Sequence, residues 1–389
     1  MPVKTTHFRV DNGDMTLVEF ESGRKLLIDI NIREAADDPD DHTPDVAEQL
    51  RSRLNRDGKG RLYVDGFLLT HPDEDHCRGL ARHFHLGPPG DWSENTDKVL
   101  IREMWSSPVV FRRGSKDHTL SEDAADWASE ARRRVRLFRD KDGSVSDGDR
   151  ILILGEDVDG KTDDLDEILI KIDETFNRIS GRDDDSFEAR LLAPMPPSDD
   201  EDEEEALSKN NSSVVIRLEL KVGGQTSARY LFGGDAEVAI WDRIWDRNKR
   251  CAERLAYDVL IAPHHCSWHS LSYDSWSKCG EGAEGSEPAR NALGQALKEA
   301  RIISSSCEIL DDDNDPPCIR AKREYEDILE SVGGHFHCLG EGDEVDPFVL
   351  TINPPAKKAE SLLRKPAAAA AAFTFPNRGV KPDRPDGFA

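Results

Sequence analysis

Three apolar segments of this chain each end in histidine or aspartate, and this arrangement constrains the fold more than any other feature. The segments are residues 68–71 (LLTH), 230–235 (YLFGGD) and 259–265 (VLIAPHH). Short apolar runs bounded by turn residues are typical of buried β-strands. Polar residues gathered at several strand ends therefore predict a site at the edge of a sheet, where the loops after the strands converge.

The first segment continues into the densest group of metal-competent side chains, residues 71–76 (HPDEDH). His71 and Asp73 lie two positions apart and project the same way from extended chain, whereas Asp75 and His76 begin a helix and point elsewhere. One loop can thus serve two adjacent metal positions, and imidazole with carboxylate suits zinc, manganese or iron. The alternative is that Asp75 caps a helix and the histidines are polar surface.

The other two segments end in residues of the same chemistry. Asp235 follows two glycines, which allow close backbone approach, and it stands where a bridging carboxylate would be needed. Taken alone, Asp235 is a turn residue, and His264 with His265 is a pair of capping or surface residues. The combination with residues 71–76 favours a metal site.

Together these motifs resemble the metallo-β-lactamase superfamily, and most closely the hydrolase domain of the ComEC type found in DNA-uptake competence proteins. The superfamily motif His-x-His-x-Asp-His is matched by residues 71–76, the family's Gly-Asp by residues 234–235, and Pro-His-His-Gly-Ser by residues 263–267 (PHHCS). Weaker matches are Gly13-Asp14, Asp29 after an apolar pair, and Asn-Asn-x-Ser at 210–213. The resemblance spans about residues 8–353.

The resemblance implies an α/β fold, an αββα sandwich of two mixed sheets with helices outside. It implies two divalent metal ions, zinc or manganese with iron also possible, and hydrolysis by a metal-bound hydroxide. The implied ligands are His71 and Asp73 for one ion, Asp75, His76 and His265 for the other, and Asp235 between them. His264 would face the substrate, and the implied catalytic residues are His264, Asp75 and Asp235.

Three departures from the family pattern stand out. Cys266 replaces the glycine that follows the paired histidines, and Asp315 replaces the histidine before the proline of a late loop. The first metal position also lacks an obvious remaining histidine ligand. His118 lies in the right interval and is the residue we predict for it, and His83 and His85 are alternatives.

The charge is unevenly distributed. The chain has 52 basic and 78 acidic residues, a formal net charge of −26. Residues 156–208 contain 20 acidic and 5 basic residues, a net charge of −15. Such a segment predicts a flexible, solvated insertion. We therefore expect a hydrolase domain over residues 1–355 with this acidic insertion inside it, and a flexible tail over residues 356–389.

The local patterns predict hairpins first and strand–helix units afterwards. Residues 121–138 and 288–300 are predicted helices. The first of these carries five arginines between positions 132 and 139. We interpret them either as a solvated helix face or as a patch for a phosphate-bearing substrate.

Phosphodiester hydrolysis, of a phosphodiesterase or nuclease type, is the predicted function. The alternatives are hydrolysis of an ester, thioester, lactone or amide in a small metabolite, and a non-catalytic partner protein with the same fold. A net charge of −26 opposes binding of long polynucleotides and of anionic membranes. The acidic insertion or the C-terminal tail could dock a protein partner.

The compartment is predicted from what the sequence lacks. No apolar stretch reaches the length of a membrane span, about 18 residues. The N-terminus has no signal-peptide core, and the seven cysteines have no Cys-x-x-Cys spacing. We expect a cytoplasmic protein without membrane association.

Overall fold

The computed structural model describes residues 2–38, 40–114 and 119–355, and these form twenty strands. In chain order the strands are β1 (Val3–His7), β2 (Thr16–Glu19), β3 (Lys25–Ile28), β4 (Ile30–Asn31), β5 (Asn55–Arg56), β6 (Leu62–Leu68), β7 (Phe84–His85), β8 (Val99–Ser106), β9 (Arg150–Leu154), β10 (Leu169–Ile170), β11 (Thr175–Phe176), β12 (Arg178–Ile179), β13 (Arg182–Asp183), β14 (Phe187–Ala193), β15 (Val215–Val222), β16 (Gln225–Phe232), β17 (Tyr257–Ile261), β18 (Ala296–Cys307), β19 (His335–Gly340) and β20 (Phe348–Ile352).

Eleven α-helices connect the strands of the described residues. They are α1 (Val46–Arg51), α2 (Glu74–Cys77), α3 (Leu80–His83), α4 (Pro108–Arg112), α5 (Glu122–Asp140), α6 (Glu201–Ala206), α7 (Val238–Asn248), α8 (Pro263–Cys266), α9 (Trp276–Cys279), α10 (Glu287–Leu293) and α11 (Ile319–Glu330).

The strands form two large mixed sheets. The first has ten strands in the order β10-β9-β8-β6-β3-β2-β1-β20, with β5 on β6 and β7 on β8. The second has seven in the order β11-β14-β15-β16-β17-β18-β19. The sheets pack face to face: the rings of Phe20 and Phe187 stack at 4.6 Å, and those of Trp105 and Phe176 meet at 5.1 Å.

Alternation along the strands builds a layer on each side of the second sheet. In β16, Tyr230 and Phe232 point into the core between the sheets, whereas Leu231 points to the helices outside. The outer layer is formed by α7, α10 and α11, and Trp127 of α5 packs edge-on against Phe67 on the first sheet at 4.9 Å. The structure therefore confirms the predicted αββα sandwich.

The acidic window does not have the structure that its charge predicted. Residues 156–208 supply β14, an internal strand of the second sheet whose Phe187 and Leu191 are completely buried. Carboxylates of this segment pair with arginines that are distant in sequence. For example, Glu204 forms ion pairs with Arg112 and Arg113. The interpretation of this window as a solvated insertion is therefore wrong. The predicted tail, residues 356–389, lies outside the described residues.

Two other local predictions differ from the structure. Residues 288–300 divide into α10, which ends at Leu293, and β18, which begins at Ala296. The arginines of α5 also take different positions. Arg134 is completely buried against Glu130, and Arg133 pairs with Glu130 and Asp149, so neither is a solvated residue.

No helix in the part of the chain that the structure describes is both long and apolar enough to cross a membrane. All seven cysteines belong to that part and are free thiols.

Candidate metal centre

The ends of parallel strands bring the predicted residues together. β6 pairs in parallel with β3 and leads into residues 71–76, and β16 and β17 run in parallel and lead to Asp235 and to the paired histidines. Because parallel strands end at the same edge of a sheet, these three loops meet where the two sheets lie against each other. β18 is the next parallel strand, and its Ser305 also reaches this edge.

Asp235 lies at the centre of the group, and its two carboxylate oxygens face different histidines. Oδ1 is 3.1 Å from Nε2 of His76 and 3.5 Å from Nε2 of His265. Oδ2 is 3.5 Å from Nε2 of His71 and 3.8 Å from Nε2 of His264. One buried carboxylate therefore separates two histidine pairs, which divides the cluster into two halves.

The remaining predicted ligands flank these halves. Asp73 lies on the His71 side, with Oδ2 at 3.8 Å from His71 Nε2, and Asp75 lies on the other side, at 3.3 Å from His265 Nε2. Asp73 is the residue before α2, yet its side chain caps no backbone amide of that helix. The carboxylate of Asp73 is thus left available for another role.

Asp14 is a member of the cluster that was not among the predicted ligands. One ligand atom from each of Asp14, His76, Asp235 and His265 lies within 4.8 Å of the others, and all four residues are buried. Gly13 makes this approach possible, because a Cβ at that position would lie only 2.8 Å from the carbonyl oxygen of Asp75. The signal available in the sequence was Gly13-Asp14 itself, which repeats the Gly-Asp pair at 234–235.

The donor set suits divalent metal ions. Within the described ranges, His71 Nε2 and Asp235 Oδ1 are buried and have no hydrogen-bond partner, although nitrogen and oxygen atoms of the cluster lie only 3.1–3.8 Å apart. Ligand atoms around one tetrahedral zinc ion lie about 3.4 Å from one another. Burying such polar atoms unpaired is costly, whereas a cation between them would satisfy them together.

The partners outside the cluster fix the histidines in the orientation of metal ligands. Nδ1 of His265 donates to the carbonyl oxygen of Ser305 at 3.1 Å, and Nδ1 of His76 donates to Asp29 at 2.9 Å. Asp29 is itself held by the backbone amide and hydroxyl of Thr70. With Nδ1 protonated, the neutral ring presents a lone pair on Nε2 to the cluster, as metal-binding histidines do.

The electrostatics of the protein without metal show that the cluster needs positive charge. Burial opposes protonation of His265, but the carboxylates of Asp235 and Asp75 outweigh it and raise its pKa to about 10. The pKa of His76 is raised well above its usual value by Asp235 and Asp29, again against burial. Burial also raises the pKa of Asp14 to about 6. Protons on these histidines balance the carboxylates here.

This charge balance predicts how pH affects the stability of the metal-free protein. A raised histidine pKa stabilises the folded state fully below the unfolded value of about 6.5, and the effect is lost as pH rises through the folded value. For His265 the loss falls between about 6.5 and about 10. We expect the difference in unfolding free energy between wild type and His265→Ala, measured in EDTA by urea denaturation, to shrink over that interval.

The matched control is His335→Ala, because His335 is exposed. This variant shows the effect of removing a histidine that is not part of the cluster. A difference for His265→Ala that stays constant with pH would contradict the assigned proton.

The loop that carries the paired histidines has an unusual backbone conformation. His264, His265 and Cys266 all have left-handed backbones, with φ of 52°, 51° and 67°. Such conformations cost about 1–3 kcal/mol each outside glycine. Cys266 therefore stands where glycine would be least strained. Asp315 holds the loop by accepting hydrogen bonds from the Ser267 hydroxyl at 2.6 Å and the Trp268 amide at 3.0 Å.

The candidates for the missing histidine ligand do not join the cluster among the described residues. Nε2 of His85 bonds the carbonyl oxygen of Pro88, and the charged groups nearest His83 include Arg82 and Asp37. His118 lies outside the described residues. His264 is the remaining histidine beside Oδ2 of Asp235.

No protein-family model matches the chain, and no curated protein matches it. Among solved structures, a metallo hydrolase named Igni18, from the hyperthermophilic archaeon Ignicoccus hospitalis, is similar with a TM-score of 0.36 and 11% sequence identity. The match covers 90% of this chain and 100% of that one.

Proposed function

We propose that this protein is a metal-dependent hydrolase that holds two divalent cations, zinc or manganese, on the two sides of Asp235. The observation that carries the proposal is that the two oxygens of one buried carboxylate face two separate histidine pairs. His71 and Asp73 would hold one cation. Asp75, His76 and His265 would hold the other, with Asp14 beside them. Two bound cations would supply Lewis acidity and an activated water for hydrolysis.

The chain's own residues position these groups. Asp29 and the Ser305 carbonyl keep Nε2 of His76 and His265 directed at the cluster, and Asp235 lies between its two halves. Asp75 is one-third exposed, so it stands at the mouth of the site, where it can orient a water or a substrate. Preorganised groups of this kind cost no rearrangement during the reaction.

His264 is the residue that we assign to the substrate. Its Nδ1 is buried and has no hydrogen-bond partner among the residues that the structure describes, and its side chain keeps 14% of its surface exposed. Burial lowers its pKa below the usual value, although Asp235 opposes this shift. The neutral ring therefore suits a hydrogen bond to the oxygen that gains charge in the reaction better than it suits donation of a full proton.

A phosphodiester of small size is the substrate class that we propose. The resemblance of the motifs to the ComEC type supports phosphodiester chemistry, and a donor set rich in aspartate favours hard cations that bind phosphate oxygen. The net charge of −26 argues against long polynucleotides. The arginines of α5 do not offset it at the cluster, because Arg133 and Arg134 are engaged with Glu130 and the others line a separate cavity.

The direct test is hydrolysis of bis(p-nitrophenyl) phosphate by protein loaded with zinc or manganese. We expect turnover that EDTA abolishes and that Asp235→Asn lowers at least about 10²-fold, since that carboxylate serves both halves. Asp246→Asn is the matched control, because Asp246 is exposed and binds only Lys249 among the described residues. It should leave turnover unchanged.

Two outcomes would replace this proposal. A strong preference for p-nitrophenyl acetate or a thioester over the phosphodiester would favour hydrolysis of a small metabolite instead. Protein that binds two cations yet hydrolyses none of these substrates would favour a non-catalytic relative.

A further inference from the structure

A second polar site lies away from the metal cluster, in a cavity of about 530 Å³ between α4, α5 and the segment after β9. None of the cluster residues lines it. Five of its lining residues are cationic and one is acidic, and they are Arg112, Arg132, Arg136, Arg139, Lys161 and Asp157. The chain has a net charge of −26, so a cavity lined by more cationic than acidic residues is suited to an anion.

Two of these arginines have no counter-ion in the part of the chain that the structure describes. Arg139 pairs with Asp164, and Arg112 pairs with Asp157 and Glu204. Arg132 and Arg136 make no hydrogen bond or ion pair with any residue that the structure describes. They are four positions apart on α5, so their like charges lie side by side on one face of the helix, which is unfavourable unless an anion lies between them.

A buried donor in the wall of the cavity is also unsatisfied. Nη2 of Arg112 is buried and has no hydrogen-bond partner among the described residues, although Nε and Nη1 of the same guanidinium are both engaged. This observation is independent of the exposed pair. Arg112 is itself one of the residues that line the cavity.

The rest of the lining is mostly apolar, apart from Ser106 and Thr162. Phe111, Val135, Ile153 and Leu165 contribute to it, together with Ala128 and Ala131 at the start of the helix face. Two rows of residues four apart run along α5, 128–132–136 and 131–135–139, and each begins with alanine and ends with arginine. The helix face is thus apolar at one end and cationic at the other.

We infer that this cavity binds a soluble organic phosphate, with its apolar body against Phe111 and Ala128 and its phosphate between Arg132 and Arg136. Guanidinium groups bind phosphate oxygens with paired hydrogen bonds, which is why arginine is favoured for this ligand. The volume matches pockets for small organic ligands, about 300–1,000 Å³. The inference does not depend on the proposed hydrolase function.

The test is calorimetric titration of the metal-loaded protein with 1-naphthyl phosphate, inorganic phosphate and 1-naphthol. We expect the ester to bind at least about tenfold more tightly than either fragment, because it alone satisfies both ends of the cavity. Arg132→Ala with Arg136→Ala should weaken the ester at least tenfold. Both side chains are exposed, so the double variant should fold. The matched control is Arg250→Ala with Arg254→Ala, two exposed arginines elsewhere.

A further variant separates this site from the metal cluster. His265→Ala should keep the binding of the ester, whatever it does to hydrolysis. Loss of binding in His265→Ala, or unchanged binding in the Arg132 and Arg136 double variant, would overturn the inference. So would binding to phosphatidylglycerol vesicles without binding to the soluble ester, since that result would indicate a membrane surface.

Discussion

Protein that lacks residues 183–205 is expected to fail to fold. The deletion removes β14, which lies between β11 and β15 in the second sheet. It also removes the completely buried side chains of Phe187 and Leu191 from the core between the sheets. Loss of an internal strand leaves its neighbours with unpaired backbone groups and exposes the apolar faces of both sheets.

A single substitution measures the same effect without removing the strand. Phe187→Ala should lower the free energy of unfolding by about 3–5 kcal/mol, the range for a large buried aromatic side chain. Glu188→Ala is the matched control, since its side chain is 45% exposed on the same strand. It should change stability by less than about 0.5 kcal/mol. Soluble, folded protein after the deletion, seen by circular dichroism, would restore the interpretation as a solvated insertion.

Substitution of the paired histidines is expected to separate metal binding from turnover. His264→Ala should keep the metal and lose turnover by about 10²–10³-fold, the usual effect of removing one hydrogen bond to a developing negative charge. His265→Ala should lose both, because its Nε2 lies 3.3 Å from Asp75 and 3.5 Å from Asp235. Steady-state turnover of bis(p-nitrophenyl) phosphate compares the activity of wild type with that of the two variants. Equal turnover in wild type and both variants would contradict a catalytic site here.

The sequence predicted the sandwich because apolar strands and their terminal motifs are local signals. It did not predict β8, an internal strand of the first sheet that lies between β6 and β9. Arg102 and Glu103 interrupt its apolar pattern. In the structure Arg102 binds Asp65, while Glu103 accepts hydrogen bonds from the Trp105 indole and the Gly181 amide. Partners distant in sequence thus make a buried charge tolerable.

The acidic window shows the same limit on a larger scale. The composition of residues 156–208 predicts a solvated segment only if its carboxylates have no arginine partners elsewhere in the chain. Arg113 is buried, and it donates to the carbonyl oxygens of Met195 and Pro196 as well as to Glu204. The hydrogen bond from Arg113, more than any other influence, lowers the pKa of Glu204 to about 2. Such pairs join residues about 80–90 positions apart. The composition of a short segment therefore does not reveal them.

The site was predicted from three loops, and each of them can be recognised from its own local sequence. Asp14 was missed because a Gly-Asp pair in an N-terminal loop is an ordinary turn until the fold brings it to Asp75. The left-handed backbone at His264 and His265 was also unpredictable from the local sequence, because the strain is supported by Asp315, about 50 residues later.

The most direct test of the central claim, a binuclear metal centre divided by Asp235, is the metal content per chain. We expect wild-type protein loaded with zinc or manganese and then desalted to retain about two ions, as binuclear hydrolases do. His264→Ala should retain the same number, and His265→Ala should retain fewer. Inductively coupled plasma mass spectrometry against protein concentration measures all three. Wild-type protein that retains no metal, and hydrolyses the phosphodiester at the same rate in EDTA, would contradict the account.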